Sequence, residues 1–351
     1  MPRQEVLDRI PVDDEYFLFR SCVASNKYPG METSTREVFD RIGVKLTESD
    51  DQTCCGGFIT FTSVAEVTAT MPAVARNLSI PDRAGLNTLT MCNGCYTFLT
   101  EFGHFLQHNP PIRDKVNEML GMMGREYTGD SQVLHMIEVL PKLLDRIRGS
   151  VVRPLRGLKL ATHYGCHYLY GFKKEAVDDP FMPTIMEDII EAVGGTPTSY
   201  PEERTCCGSG LTQVVIHKEE MSLPHMKKKF DSLKEAGVDA LVVVCPYCLT
   251  ILDRGQAKMI DRGIADYEVP VLYVNQLIGL AMGVDPVRLG LDAHLMPVRG
   301  LLEKLERLHA EGPARTEPTQ TEAAQQTSTP GGPSGAAGPS GAAARQEAAN
   351  A

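Results

Sequence analysis

All ten cysteines of this 351-residue chain fall into two copies of one pattern. The first copy is Cys22, then Cys54-Cys55, then Cys92-Asn93-Gly94-Cys95. The second is Cys166, then Cys206-Cys207, then Cys245-Pro246-Tyr247-Cys248. Counted in intervening residues these are C-x31-CC-x36-CxxC and C-x39-CC-x37-CxxC, with no cysteine left over. A chain built this way has to bring five thiols together twice. That points to two metal–sulfur centres on two duplicated domains.

The surroundings of the cysteines fit a reducing compartment. The formal net charge of −10 speaks against nucleic-acid binding and against a peripheral anchor on anionic lipid. The N-terminal stretch has only Tyr16-Phe17-Leu18-Phe19 as an apolar run, too short for a signal peptide. No segment approaches the roughly 18 consecutive apolar residues of a membrane span. The expected location is cytoplasmic. There, clustered cysteines serve as metal ligands or redox groups more often than as disulfides.

The repeat extends beyond the cysteines. Tyr16 to Arg20 runs into Cys22, and Leu158 to Thr162 runs toward Cys166, each as a short strand delivering a cysteine at its carboxyl end. Leu86 to Met91 and Ala240 to Val244 do the same for the CxxC motifs, the second apolar enough for a parallel strand covered on both faces. Helices are expected over Thr35 to Ile42, Val64 to Leu78, Met182 to Val193 and Met221 to Ala236, with Gly43 and Gly194-Gly195 as stops. Alternating strands and helices give an α/β fold: two duplicated domains with mainly parallel sheets, related by pseudo-two-fold symmetry. The expected boundaries are 1–150, 151–297, a last helix over 298–310 and a disordered tail over 311–351. Arg146 to Arg156 is the expected linker. In the last helix Val298, Leu301, Leu302, Leu305 and Leu308 form an apolar stripe suited to core packing. The tail repeats Gly-Pro-Ser-Gly-Ala-Ala at 332–337 and 338–343.

Three chemistries compete for the five thiols. Disulfides need an oxidising compartment, and vicinal cysteines pair with each other only under strain. Zinc takes a closed set of four ligands and leaves the fifth cysteine unexplained. A cubane iron–sulfur cluster takes four thiolates and leaves one thiol free, whereas a cluster of altered geometry takes all five. Spacing favours iron–sulfur and leaves these last two forms open.

At this level of detail the doubled pattern resembles the cysteine-rich CCG domain of the heterodisulfide reductase B subunits, over roughly residues 15–285. The flanks agree: Asn26-Lys27-Tyr28-Pro29-Gly30 after the first cysteine, Thr90-Met91 before and Tyr96 after the first CxxC, His163-Tyr164-Gly165-Cys166-His167, and Asp253-Arg254-Gly255-Gln256 after the second CxxC. The resemblance implies two noncubane [4Fe-4S] clusters. One would be held by Cys22, Cys54, Cys55, Cys92 and Cys95, the other by Cys166, Cys206, Cys207, Cys245 and Cys248. It also implies that the clusters face each other and cleave the disulfide of coenzyme M and coenzyme B. Gly56-Gly57-Phe58 after the first CC and the C-terminal extension depart from the methanogen pattern, and both bear on the substrate more than on the clusters.

A disulfide takes two electrons and iron–sulfur clusters pass them singly, so two facing centres match the reaction. Release of the thiols needs protons. His163 and His167 flank Cys166, and His163, where strand becomes loop, is the expected catalytic histidine; the alternative is a structural imidazole hydrogen-bonded to a carbonyl or a cluster sulfide. Arg20 and Lys27 read as surface charge, and Tyr28, Tyr164 and Tyr168 as core or pocket wall. His104, His108, His135, His217, His225, His294 and His309 have no ligand spacing and no expected role. No ferredoxin-type cysteine run and no Gly-x-Gly-x-x-Gly fingerprint follows a strand, so electrons must come from a partner. The resemblance makes this the small ferredoxin-like subunit of a heterodisulfide reductase-type complex, fed in turn by its flavin-containing subunit. Competing functions are a sulfur-carrier oxidoreductase acting on a lipoyl-bound thiol, and an electron-transfer or scaffold subunit of a dehydrogenase complex.

Overall fold

Two four-stranded parallel sheets carry the two cysteine patterns. The computed structural model describes residues 3–61, 63–171, 178–209 and 219–311. The expected tail beyond residue 311, and His217, lie outside them. In the first sheet β1 (Glu15–Phe19), β2 (Lys45–Thr47), β3 (Thr88–Thr90) and β4 (Val133–His135) take the order β2-β1-β3-β4. In the second, β5 (Lys159–His163), β6 (Thr196–Pro197), β7 (Ala240–Val243) and β8 (Val271–Tyr273) take the matching order β6-β5-β7-β8. Every pairing is parallel. This is the α/β, duplicated architecture expected. β7 is buried along its whole length, which explains why its sequence is continuously apolar instead of alternating.

The sheet topology explains where the thiols go. Strand order reverses between β1 and β3, and again between β5 and β7, which opens a crevice beyond the carboxyl ends of those strands. Cys22 and Cys92 follow β1 and β3; Cys166 and Cys245 follow β5 and β7. The CC pairs sit in the loops after β2 and β6. All three cysteine groups of each module are therefore at the carboxyl edge, one more than the strand pattern alone places there.

Helices then cross between the modules in matched pairs. Helix Cys22–Lys27 packs on Pro246–Asp261, and Cys166–Tyr170 packs on Asn93–His108. Likewise Gly30–Arg41 packs on Val274–Ala281, and Leu144–Ser150 on Ile185–Ala192. Each half finishes the other's core, so Met1–Ala310 is one compact unit. The expected linker is part of this packing. Leu144–Ser150 is helical, Ile147 and Leu155 are buried, and the N–H groups of Val152 and Arg153 donate to the Ala281 carbonyl at 3.0 and 2.8 Å.

Element ends differ from the sequence expectation where tertiary contacts extend them. The helix expected over Val64 to Leu78 runs Val67–Ala84, through Pro72 and Pro81. Each proline removes an N–H, but Leu78 and Pro81 are buried, and Gly85 closes the helix at φ 65°. Gly43 and Gly194 stop their helices at φ 72° and 84°, as expected. In the last helix, Arg299–Ala310, Leu301 and Leu305 are buried, with Val298 just before it, so the apolar stripe is core. Among the described residues no helix is long and apolar enough to cross a membrane.

One contact between halves is backbone on backbone. A Cβ on Gly30 would meet Gly290 Cα and the Leu289 carbonyl oxygen at 2.5 Å. Because both neighbours are main chain, Gly30→Ala is expected to cost about 1–3 kcal/mol, as overpacking does. A urea titration should show the midpoint falling with the slope unchanged.

Candidate functional site

The local backbone aims the thiols. Gly56 and Gly208 follow the CC pairs at φ 81° and 86°, a left-handed conformation that suits glycine. The turn directs amides back at sulfur: Gly57 N–H donates to Cys55 Sγ, and Gly208 N–H to Cys206 Sγ, both at 3.4 Å. Cys92 and Cys245 are the N-cap residues of helices Asn93–His108 and Pro246–Asp261, with extended φ of −134° and −123°. Their CxxC partners Cys95 and Cys248 fall in the first turn. A helix N-terminus favours thiolate.

The ten side chains form one unbroken row. Cys22 touches Cys54, Cys54 touches Cys55, Cys55 touches Cys95 and Cys95 touches Cys92. Cys92 touches Cys245 of the other module. The order then reverses through Cys248, Cys207 and Cys206 to Cys166. Hydrogen bonds from Cys22 and Cys55 hold Cys54 down to about 2, and its charge pushes Cys55 up to about 12. Cys206 is lowered in the same way by Cys166 and Cys207.

All ten thiols line one cavity, whose remaining walls include Phe58, Phe61, Phe98 and Tyr247. Cys55, Cys92, Cys95, Cys207, Cys245 and Cys248 form its buried floor, whereas Cys22, Cys54 and Cys166 lie exposed at its rim. No two of the ten are bonded to each other. Soft thiolates in this number suit an iron–sulfur cluster. A second observation agrees: among the described residues neither ring nitrogen of buried His163 has a hydrogen-bond partner, although the ring lies against Cys207 and Cys248. A buried polar group without a partner is costly, and sulfur at that place would satisfy it.

The two flanking histidines differ in place. His167 lines the cavity, with its ring edge-on to Phe61 at 5.4 Å. His163 is absent from the cavity wall and stands behind the floor cysteines. Burial pushes its pKa well below the ordinary value, so the ring is neutral. Arg20 pairs with Glu48 at 3.6 Å, a surface role as expected. Tyr28 and Tyr164 are core: Tyr28 Oη donates to Asp253 at 2.6 Å, and Tyr164 Oη donates to Glu187. Tyr168 is buried against Tyr96 and His135.

Several residues at the site had no sequence signal. Asn93, inside the first CxxC, donates to the Tyr164 carbonyl at 2.6 Å and so ties the two modules. Gly165 leaves room for that contact: at φ 80°, a Cβ there would meet Asn93 Nδ2 at 2.6 Å and Cys248 Sγ at 3.2 Å. His225 bonds the Cys206 carbonyl at 2.9 Å. Lys229 is fully buried and donates to Tyr200 Oη at 2.7 Å and the Glu202 carbonyl at 2.6 Å.

Beside Cys92, buried Glu138 accepts from Tyr96 Oη and from the His135 amide, both at 2.9 Å. Burial pushes its carboxyl up to about 8. The unfolded carboxyl titrates near ~4.3. Stability from this group is therefore full below that value, is lost as pH rises toward about 8, and is flat above it. Glu138→Gln keeps an acceptor for the amide and a donor for the phenol. Anaerobic melts should show the variant more stable than the parent at about pH 9 and level with it near pH 4.5.

Comparison with known proteins agrees with this geometry. The cysteine-rich CCG domain model matches residues 16–100 and 160–253, the two sheets with their cysteines. The chain is 33% identical over 311 residues to the B subunit of ferredoxin:CoB-CoM heterodisulfide reductase of Methanosarcina acetivorans, covering 86% of this chain and 98% of the relative. It is 28% identical to the 8-methylmenaquinol:fumarate reductase membrane anchor subunit of Wolinella succinogenes, over 80% of this chain and 97% of the relative. Among solved structures, a hypothetical protein from Helicobacter pylori shares the fold with a TM-score of 0.62 at 15% identity, over 84% of this chain and 56% of that one.

Proposed function

Since the chain belongs to the cysteine-rich CCG-domain family of heterodisulfide reductase B subunits, we propose that it is the catalytic iron–sulfur subunit of a heterodisulfide reductase-like complex, cleaving or forming a disulfide. The observation that carries this is the unbroken row of thiols, with its two halves meeting at Cys92 and Cys245. Cys22, Cys54, Cys55, Cys92 and Cys95 would hold one noncubane [4Fe-4S] cluster; Cys166, Cys206, Cys207, Cys245 and Cys248 would hold the other. Such clusters, when bound, supply or accept electrons one at a time, and a pair matches a two-electron disulfide.

The chain's own residues shape the rest of the reaction. Phe58, Phe61 and Phe98 give the cavity apolar walls that exclude water and take the hydrocarbon stem of a thiol. His167, and not His163, is the imidazole placed to deliver a proton to a departing thiolate, because it alone of the two faces the cavity. Thr97 of the first module holds the His167 segment by donating to its carbonyl at 2.9 Å. Electrons enter from two partner subunits, one ferredoxin-like and one flavin-containing. The name of the methanogen relative, which pairs ferredoxin with a CoB-CoM heterodisulfide, supports both donor and substrate class.

A second function, electron transfer within a dehydrogenase-type complex, is favoured by the likeness to the fumarate reductase anchor subunit. A dye-coupled assay separates them. Metal-loaded protein given a reduced viologen should oxidise it in proportion to added disulfide. Loaded protein that exchanges electrons with the dye but never consumes a disulfide is the electron-transfer subunit instead.

A further inference from the structure

We propose that His163 and Lys229 make the two metal–sulfur centres unequal, so that the second module takes the first electron. This rests on the reading that both thiol sets hold iron–sulfur clusters, and it adds an order to their reduction.

The duplication provides an internal comparison. His163 ends β5 as Phe19 ends β1, each three residues before the leading cysteine of its module and each buried. One position thus carries hydrocarbon in the first module and an imidazole in the second. The His163 ring and the sulfurs of Cys207 and Cys248 present ligand atoms within 4.8 Å of one another. No described residue accepts from or donates to that ring. A neutral imidazole carries one N–H, and the sulfur beside it is the available acceptor.

Lys229 adds a cation. Its ammonium, fully buried, is fixed by Tyr200 and the Glu202 carbonyl, and its charge acts on the same two cysteines, Cys207 and Cys248. In the first module the buried imidazole near sulfur is His135, at the end of β4 instead of β1; it acts on Cys92, and its Nδ1 is already engaged by the Ile137 amide. Hydrogen bonds to cluster sulfur and nearby positive charge both stabilise the added electron, and so raise the reduction potential of the centre they surround. His163 is a positioning residue in this scheme: it acts through the sulfur and not on the substrate.

The test is an anaerobic redox titration of the full, metal-loaded chain, followed by EPR. The parent should show two separate midpoints. His163→Phe copies the first module and should lower only the higher midpoint, cutting the reduced fraction at the former midpoint about tenfold in equilibrium constant, about 59 mV for one electron. His163→Asn, which keeps an N–H donor, should recover part of the shift. Phe19→His should raise the lower midpoint, and it tests the idea independently should His163→Phe fail to fold. Coincident midpoints in the parent would overturn the proposal. So would retained iron and sulfide in His163→Phe with neither midpoint moved, or both moved equally. A large hyperfine coupling to labelled histidine nitrogen, the mark of a ligand, would overturn it too. Failure of the underlying reading looks different: the parent would contain no iron and no labile sulfide.

Discussion

With Cys206 and Cys207 both replaced by alanine, iron and acid-labile sulfide per chain are expected to fall to about half, and disulfide turnover by roughly a hundredfold or more, because members of one catalytic unit do not act additively. The structure gives the reason for the split. Cys206 touches Cys166 and Cys207 touches Cys248, so the double substitution breaks the second half of the row at its middle. The first half, from Cys22 to Cys92, keeps all its neighbours within the module. The mirrored variant at Cys54 and Cys55 should give the same half-content and the same loss. Metal analysis and the dye-coupled assay on both variants check this. Half the iron with full turnover would mean that one centre suffices and the paired mechanism is wrong.

Asp253→Ala is expected to produce the largest loss of stability outside the cysteines. Asp253 is fully buried and accepts three hydrogen bonds: from Tyr28 Oη at 2.6 Å, Leu295 N–H at 2.8 Å and Met296 N–H at 2.9 Å. Tyr28 belongs to the first module, Asp253 to the second, and Leu295 and Met296 to the segment leading into the last helix. One carboxylate therefore joins three parts of the chain. Removing it leaves three donors without an acceptor, each costing about 1–3 kcal/mol, for a sum of several kcal/mol. At roughly 2–4 °C per kcal/mol for chains of this class, the melting temperature should drop by about 10 °C or more. Tyr28→Phe removes one donor and leaves the two amides satisfied, so its cost should be about 1 kcal/mol. Equal melting temperatures for the two variants would contradict the three-way role of Asp253.

The contrast between these two experiments marks what the sequence reveals and what it hides. The cysteines are legible because a repeated spacing can be counted, and the strands before them because an apolar run such as Ala240 to Val243 needs no partner to be recognised. The helix exchange is invisible at that level. Gly30–Arg41 shows an apolar face but nothing that says the face meets Val274–Ala281 of the other half. Individual buried charges are hidden for a related reason. Lys229 is the last of three consecutive lysines, a run that reads as solvated, and only the helix phase turns its ammonium inward to Tyr200. The two histidines around Cys166 show the limit most sharply. Four residues apart, they look equivalent in sequence, yet the strand end carries His163 behind the cavity floor while the first turn of the next helix puts His167 on the wall.

The central claim is that the row of ten thiols holds two catalytic iron–sulfur centres open to substrate sulfur. It is tested most directly by anaerobic iron and acid-labile sulfide analysis, combined with EPR of the oxidised protein before and after addition of a thiol. The expected result is about eight irons with matching sulfide per chain, and a paramagnetic signal that appears only with thiol. Two zinc ions and no sulfide would contradict it at the level of the metal; eight irons with spectra indifferent to every thiol would contradict it at the level of catalysis.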